Sequence, residues 1–464
     1  MMFQAAGDCL GEYGMPNSED TTPAPQTSHP TRHPTGGCPE GSPDIVRRLC
    51  RNLDIAERAI TELAPLGYRD ESKPEFGVSP EKVIAETSVF LLACSTIRRE
   101  HPEIEERVNR VARVLLPHSR TDKVLFNACL SPSLAWDYSI AHIALSRLGY
   151  ADANSDKIFR VCLESETSEG RERLPHRILE QEWLRRLWNS AGGSWRCSSS
   201  RRSSSSRRRE RSIAALSKLA RPIDVFASTR DDIYAFTHAI MYIADFGERT
   251  AELPRPKRDI LADADATLAC CLDDQDYDLC GEILLAWPYL KAKWSLTAIF
   301  ALRVLARLEA MVGFLPSPLT QLDKYNSVAE EERPRYLTAS IYHTAYVMGI
   351  LCASLLRTKQ TSFPGFPRLR NRDNIDTLSH ILDGDGSKPH WRADLAELSA
   401  SQRGGLVPML ITIALRRSVK SRNPEQVRRL LELSLAYGTA DHQATKQAAG
   451  LLTRIARLAQ RAQS

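Results

Sequence analysis

The chain predicts an all-α fold of stacked antiparallel helical hairpins, in the manner of an α/α toroid or a solenoid, and three observations carry that reading. Apolar residues recur three and four apart from Pro43 onward, the period of a helix with a buried face. Alternation of polar and apolar residues, the mark of a half-buried strand, is almost absent. Helical stretches also end repeatedly in glycine followed by an aromatic, at Gly67–Tyr68, Gly149–Tyr150 and Gly313–Phe314. There glycine accepts the left-handed conformation and the aromatic folds back on the last turn. The first two of these glycines lie 82 residues apart and the last two 164, a doubling that duplicated hairpins would leave.

Taken in order, residues 1–42 are rich in Pro, Thr, Ser and Gly without apolar periodicity, and read as a disordered tail. An N-terminal helical region, 43–190, follows. Its predicted helices are Asp44–Leu63, Pro80–Arg99, Glu103–Leu115, Ser133–Leu148, Ser155–Leu163 and Pro175–Trp188. Residues 191–212 read as a Ser/Arg-rich low-complexity linker. The C-terminal helical region, 213–464, carries predicted helices at Arg230–Phe246, Pro256–Cys271, Tyr277–Trp287, Ser295–Val312 and Pro334–Leu356, then Gly405–Val419, Pro424–Leu435 and Ala440–Ala462. Pro80, Pro175, Pro256, Pro334 and Pro424 stand at helix starts, where the missing N–H costs nothing. Between the last long helices, Thr361–Arg372 reads as a loop over the body with Phe363 and Phe366 tucked against it.

Charge is concentrated in one place. The net charge is +5, but seven arginines against the single Glu210 between Ser194 and Ser212 contribute +6, which leaves the rest of the chain near −1. A body so close to neutral does not call for an acidic partner, and the arginine tract has neither interleaved aromatics nor an adjoining reader module, so nucleic acid is not expected. Eleven scattered cysteines contain no Cys-x-x-Cys pair and read as free buried thiols. No apolar run of bilayer-spanning length and no signal pattern is expected here, so the reading is cytoplasmic with no membrane partner. Walker, Gly-x-Gly-x-x-Gly, Gly-x-Ser-x-Gly and kinase motifs are absent, which argues against the common nucleotide-dependent chemistries.

The helix between Thr229 and Gly247 is the richest in chemistry. Thr229 and Asp232 have the spacing of a capping box, and Gly247 can close the far end. Asp231, Tyr234, His238, Tyr242 and Asp245 fall on one face, with Ile233, Phe236, Ile240, Ile243 and Phe246 on the others. A buried helix with such a stripe suggests a cavity in which His238 is a general acid or base, Asp245 fixes its partner or a substrate cation, and Tyr242 and Tyr234 donate hydrogen bonds. The bland alternative is a satisfied core histidine, with Asp245 paired to an arginine such as Arg249. His142 and His343 occupy comparable positions in other helices and extend the binding candidates. Three histidines could hold zinc, but no paired-ligand motif supports it, so the sequence assigns no metal and no cofactor. The acidic group Asp273, Asp274, Asp276, Asp278 and Glu282 resembles a metal–diphosphate site, yet its aspartates precede a helix, where capping explains them equally well, and there is no second aspartate-rich motif on a facing helix. The helix with His176, Glu180, Glu182 and Trp183 reads as charged and partly exposed.

The run His238, Tyr242, Asp245, Phe246, Gly247, then Leu284, Ala286, Trp287, Pro288, then Gly313, Phe314, Leu315, Pro316 resembles an uncharacterised all-helical family of actinobacteria. The resemblance covers about Asp44 to Arg457 and implies no assigned activity. The expectation is therefore a binding or accessory protein, whose concave helical surface meets a protein or small-molecule ligand of unknown identity. The alternative is an enzyme of bacterial secondary metabolism using His238 and Asp245 for acid–base work.

Overall fold

The computed structural model describes residues 44–64, 75–165, 167, 170–190, 204–367, 378, 382 and 389–463. Among them regular structure is helical throughout, with no strand. The organising element is α15 (Arg333–Arg357), whose side chains from Tyr336 to Leu356 are almost all buried. By length and composition the stretch Glu330–Arg357 would suffice to cross a membrane, contrary to the sequence expectation, but here it is packed inside the fold.

Three helices frame α15. α1 (Asp44–Leu63) buries Ile45, Leu49, Leu53, Ala56 and Ile60, a stripe of helical period, and lies along it. α2 (Pro80–Cys94) crosses it on another side, and α11 (Tyr277–Leu284) on a third. Two glycines set how closely they approach. A Cβ at Gly349 would stand 2.4 Å from Phe90 Cζ, and one at Gly281 would stand 2.8 Å from Val347 Cγ1. Both the α2–α15 and the α11–α15 contacts are thus backbone-close, which brings polar side chains on facing turns within reach of one another.

On the N-terminal side, α3 (Pro102–Ser119), α4 (Asp122–Leu130), α6 (Ala153–Leu163) and α7 (Pro175–Ser190) all pack on α5 (Ala135–Arg147), which itself lies against α2. α4 was not expected from the sequence. Its only fully buried side chain is Ala128, with Val124 and Leu125 half-buried against the core beside it, and its start is fixed by the Thr121 cap on the Val124 N–H at 3.2 Å. α7 departs from expectation in burial. His176, Glu180, Glu182 and Trp183 are all buried, with Arg177 on Glu180 at 2.9 Å and Arg185 on Glu182 at 2.6 Å.

The Ser/Arg tract is only partly described, and its end is helical. α8 (Ser204–Ala214) docks on α7, with Arg209 on Glu182 at 3.0 Å and Glu210 between Arg186 and Arg249. Acidic partners across the interface turn an arginine-rich segment into a fixed one. α9 (Arg230–Ile243), α10 (Lys257–Asp273), α12 (Ala286–Tyr289) and α13 (Leu296–Val312) complete the centre. The single helix expected over Tyr277–Trp287 is two, broken at Leu285. Helices Val407–Lys420, Pro424–Ala436 and Gln443–Gln463 pack on one another and on α10.

The predicted caps at Gly149 and Gly313 adopt positive φ, 102° and 90°, whereas Gly67 lies outside the described residues. Phe363 and Phe366 are tucked against the core as expected, with Arg48 over the Phe363 ring. The described cysteines are free thiols, all buried except Cys129.

Candidate metal centre

Where α2, α9, α11 and α15 meet, the interior is polar. α11 starts at the Asp276 cap, whose side chain accepts from the Leu279 N–H, and its next turn places Asp278 and Glu282 one turn apart on the same face. α15 brings His343 against them, with Nδ1 2.6 Å from Asp278 Oδ1. α2 adds Glu86, whose Oε1 is 3.7 Å from His343 Nε2. α9 adds Thr237, donating to Glu282 Oε2 at 2.6 Å, and His238, with Nδ1 3.6 Å from the same oxygen. One ligand atom from each of Asp278, Glu282 and His343 falls within 4.8 Å of the other two.

The charges in this cluster condition one another. Burial disfavours the Asp278 carboxylate, but His343 and Arg230, which donates to Oδ2 at 2.7 Å, pull its titration below the usual carboxylate range. Burial likewise works against a His343 cation, and the charges of Asp278 and Glu86 overcome it and raise the imidazole to about 9. Glu282 is pushed up to about 7 by burial and by the Asp278 charge. His238 goes the other way, well below its ordinary value, through burial and the positive charge of Arg177. Its Nδ1 lies 3.0 Å from the Tyr234 carbonyl, so Nδ1 carries the proton and Nε2 the lone pair. Burial and the neighbouring Glu86 carboxylate push the Tyr342 hydroxyl well above its ordinary value.

The stripe predicted on α9 is divided among separate surroundings. The Thr229–Asp232 capping box is present. Asp231 is exposed in the first turn and lines nothing in the interior. Tyr234 stacks on His238 with ring centroids 3.6 Å apart, and Arg177 lies over its face. Tyr242 donates its hydroxyl to Glu180 at 2.8 Å.

Asp245 does not continue the helix. α9 stops at Ile243, and Asp245, Phe246 and Gly247 follow with φ of 51°, 50° and 85°. This left-handed turn aims the carboxylate at Trp183 Nε1, 2.7 Å away, instead of into the surroundings of His238. The two groups do not share a cavity among the described residues. Glu282 stands beside His238 where Asp245 was expected.

His142 is also elsewhere. It lies between Arg120, which donates to Nδ1 at 3.0 Å, and Asp156, 2.8 Å from Nε2, and stacks on Phe159. The three-histidine zinc set therefore does not form. Of the acidic group, Asp273 binds Arg417 and Asp274 binds Arg416, so only Asp278 and Glu282 turn inward. Sequence reasoning missed Glu86 and Thr237. Glu86 had a signal: a lone carboxylate inside the apolar run Val83–Leu92.

Fold and centre together define an all-helical protein with a buried carboxylate–imidazole cluster. The chain belongs to a family described as a domain of unknown function, DUF6895, which it matches over residues 50–353. That span contains every residue of the cluster. No curated protein and no solved structure matches the chain.

Proposed function

We propose that this protein binds a first-row divalent transition metal through Asp278, Glu282 and His343, and that the centre serves acid–base chemistry with His238 as proton acceptor. The observation that carries the reading is the convergence of those three ligand atoms within 4.8 Å, from two helices held backbone-close by Gly281. A mixed imidazole and carboxylate set suits manganese, iron, cobalt or zinc, whereas calcium and magnesium take oxygen alone. Arg230 and Thr237 supply the outer hydrogen bonds that orient such ligands.

The enzyme reading of α9 gains from this arrangement, with Glu282 replacing Asp245 as the partner of His238. An open binding surface has no comparable cluster to support it. Free buried thiols support a cytoplasmic location.

Metal content and affinity test the proposal. Purified protein titrated with Mn(II), Co(II) or Zn(II) should bind one equivalent and melt higher with the metal than without it. Glu282→Gln and Asp278→Asn should each weaken that binding by at least about tenfold while retaining the helical circular dichroism of the parent. Absence of stoichiometric binding, or an affinity in both variants equal to that of the parent, would refute it.

A further inference from the structure

A second site lies where the left-handed turn after α9 meets α12 and the end of α15. A cavity of about 330 Å³ opens there, with Phe246, Pro288 and Tyr289 as an apolar wall. Its polar groups are mostly cationic or hydroxylic. The Arg357 guanidinium is held by the carbonyls of Phe246 and Ala93, its Nε has no partner, and no carboxylate among the described residues pairs with it. Lys291, exposed at the rim, is likewise without an ion pair among them. Glu248 is the one carboxylate in the lining.

Deeper in, Tyr289 is 1% exposed and its hydroxyl makes no hydrogen bond of good geometry; Ser354 lies close enough to interact with it but donates its own proton to the Ile350 carbonyl. A buried hydroxyl left unsatisfied is costly unless something supplies the missing bond. The turn packs closely against the ring of the same tyrosine. Gly247, at φ 85°, would place a Cβ 3.1 Å from Tyr289 Cδ1, so only glycine closes the turn against this wall.

We infer that this cavity binds a small organic oxyanion, a carboxylate or phosphate on a flat apolar body, with Arg357 and Lys291 facing the anion and the Tyr289 hydroxyl donating to it. The volume fits a single-ring molecule, and the aromatic wall of Phe246 and Tyr289 fits its ring face. The inference is independent of the metal reading, since none of the three metal ligands lines the cavity.

The test is calorimetric titration of the full chain with benzoate, phenyl phosphate and inorganic phosphate. One of the two aromatic probes should saturate and bind at least about tenfold tighter than inorganic phosphate; the tighter of the two identifies the oxyanion. Tyr289→Phe and Lys291→Gln should each lower that affinity several-fold without lowering the melting temperature, because neither removes an ion pair or a hydrogen bond of good geometry. Glu282→Gln should leave it unchanged, which separates this site from the metal centre. No saturation by either aromatic probe, or affinities unaltered in both Tyr289→Phe and Lys291→Gln, would overturn the inference.

Discussion

Replacing Gly349 by alanine tests the packing that holds the centre together. The added methyl would sit 2.4 Å from Phe90 Cζ, 2.5 Å from Cε2 and 3.2 Å from Asn52 Cβ. Carbon atoms in contact prefer about 3.5–4.0 Å, so the overlap exceeds about 1 Å. Phe90 cannot swing aside cheaply. It is fully buried and stacked on Tyr346, whose hydroxyl is bonded to Thr87 at 2.7 Å. Against this, alanine in a helix interior is favoured over glycine by about 1 kcal/mol. Overpacking costs about 1–3 kcal/mol and lies at the upper end where the neighbour is pinned on both sides, so the net destabilisation is about 2 kcal/mol. Urea unfolding followed by circular dichroism should show a lower midpoint at unchanged slope. Pushing α15 away from α2 also separates His343 from Glu86, so the damage reaches the polar cluster. A double variant with Phe90→Leu should recover at least about 1 kcal/mol relative to the sum of the single effects. If Gly349→Ala is as stable as the parent, or the two changes simply add, the close approach of α2 and α15 is not what the geometry implies.

Two further predictions concern groups outside the metal centre. Burial raises the Asp265 carboxyl from 3.8 to about 7 against the hydroxyl of Ser295, the residue that caps α13. The folded state therefore holds a proton the unfolded chain releases, and this stability is fully present below the unfolded value and lost as pH rises through about 7. The stability difference between parent and Asp265→Asn, measured by urea unfolding across that range, should shift in favour of the variant by on the order of 2–4 kcal/mol as pH rises; a difference independent of pH would refute this. At Asp245, asparagine keeps both the acceptor for Trp183 and tolerance of the left-handed conformation, so Asp245→Asn should cost under about 0.5 kcal/mol. Asp245→Ala leaves the buried indole N–H unpaired and should cost about 1–3 kcal/mol in thermal or urea unfolding. Equal losses in the two variants would mean that the charge of Asp245, and not its acceptor and backbone, is what the fold uses.

The helices with a full apolar stripe were legible in the sequence, because burial on one face writes a period into the chain. α1, α13 and α15 were expected within a residue or two of where they lie. What escaped was decided by partners distant in sequence. α8 is held on α7 by Arg209 on Glu182 and Glu210 on Arg186, contacts no local pattern contains. Asp245 has the right spacing for the His238 face, and the spacing misleads because the helix ends two residues earlier in a turn that Trp183 and Arg357 hold.

The polar cluster illustrates the same limit from the other side. Asp278 and Glu282 were visible as an i, i+4 pair, and capping explained them adequately until a facing helix was known. Capping belongs to Asp276, which leaves the two inward carboxylates without a local reason to be there. Three carboxylates within two turns thus have two tasks, set by which way the helix rotates them. The short segment from Asp276 to Lys291 carries that division further. Its first helix gives Asp278 and Glu282 to the candidate metal centre, and its second gives Pro288 and Tyr289 to the cavity beside Arg357. The boundary at Leu285 falls between the two pairs of residues, so each short helix serves one of the two sites.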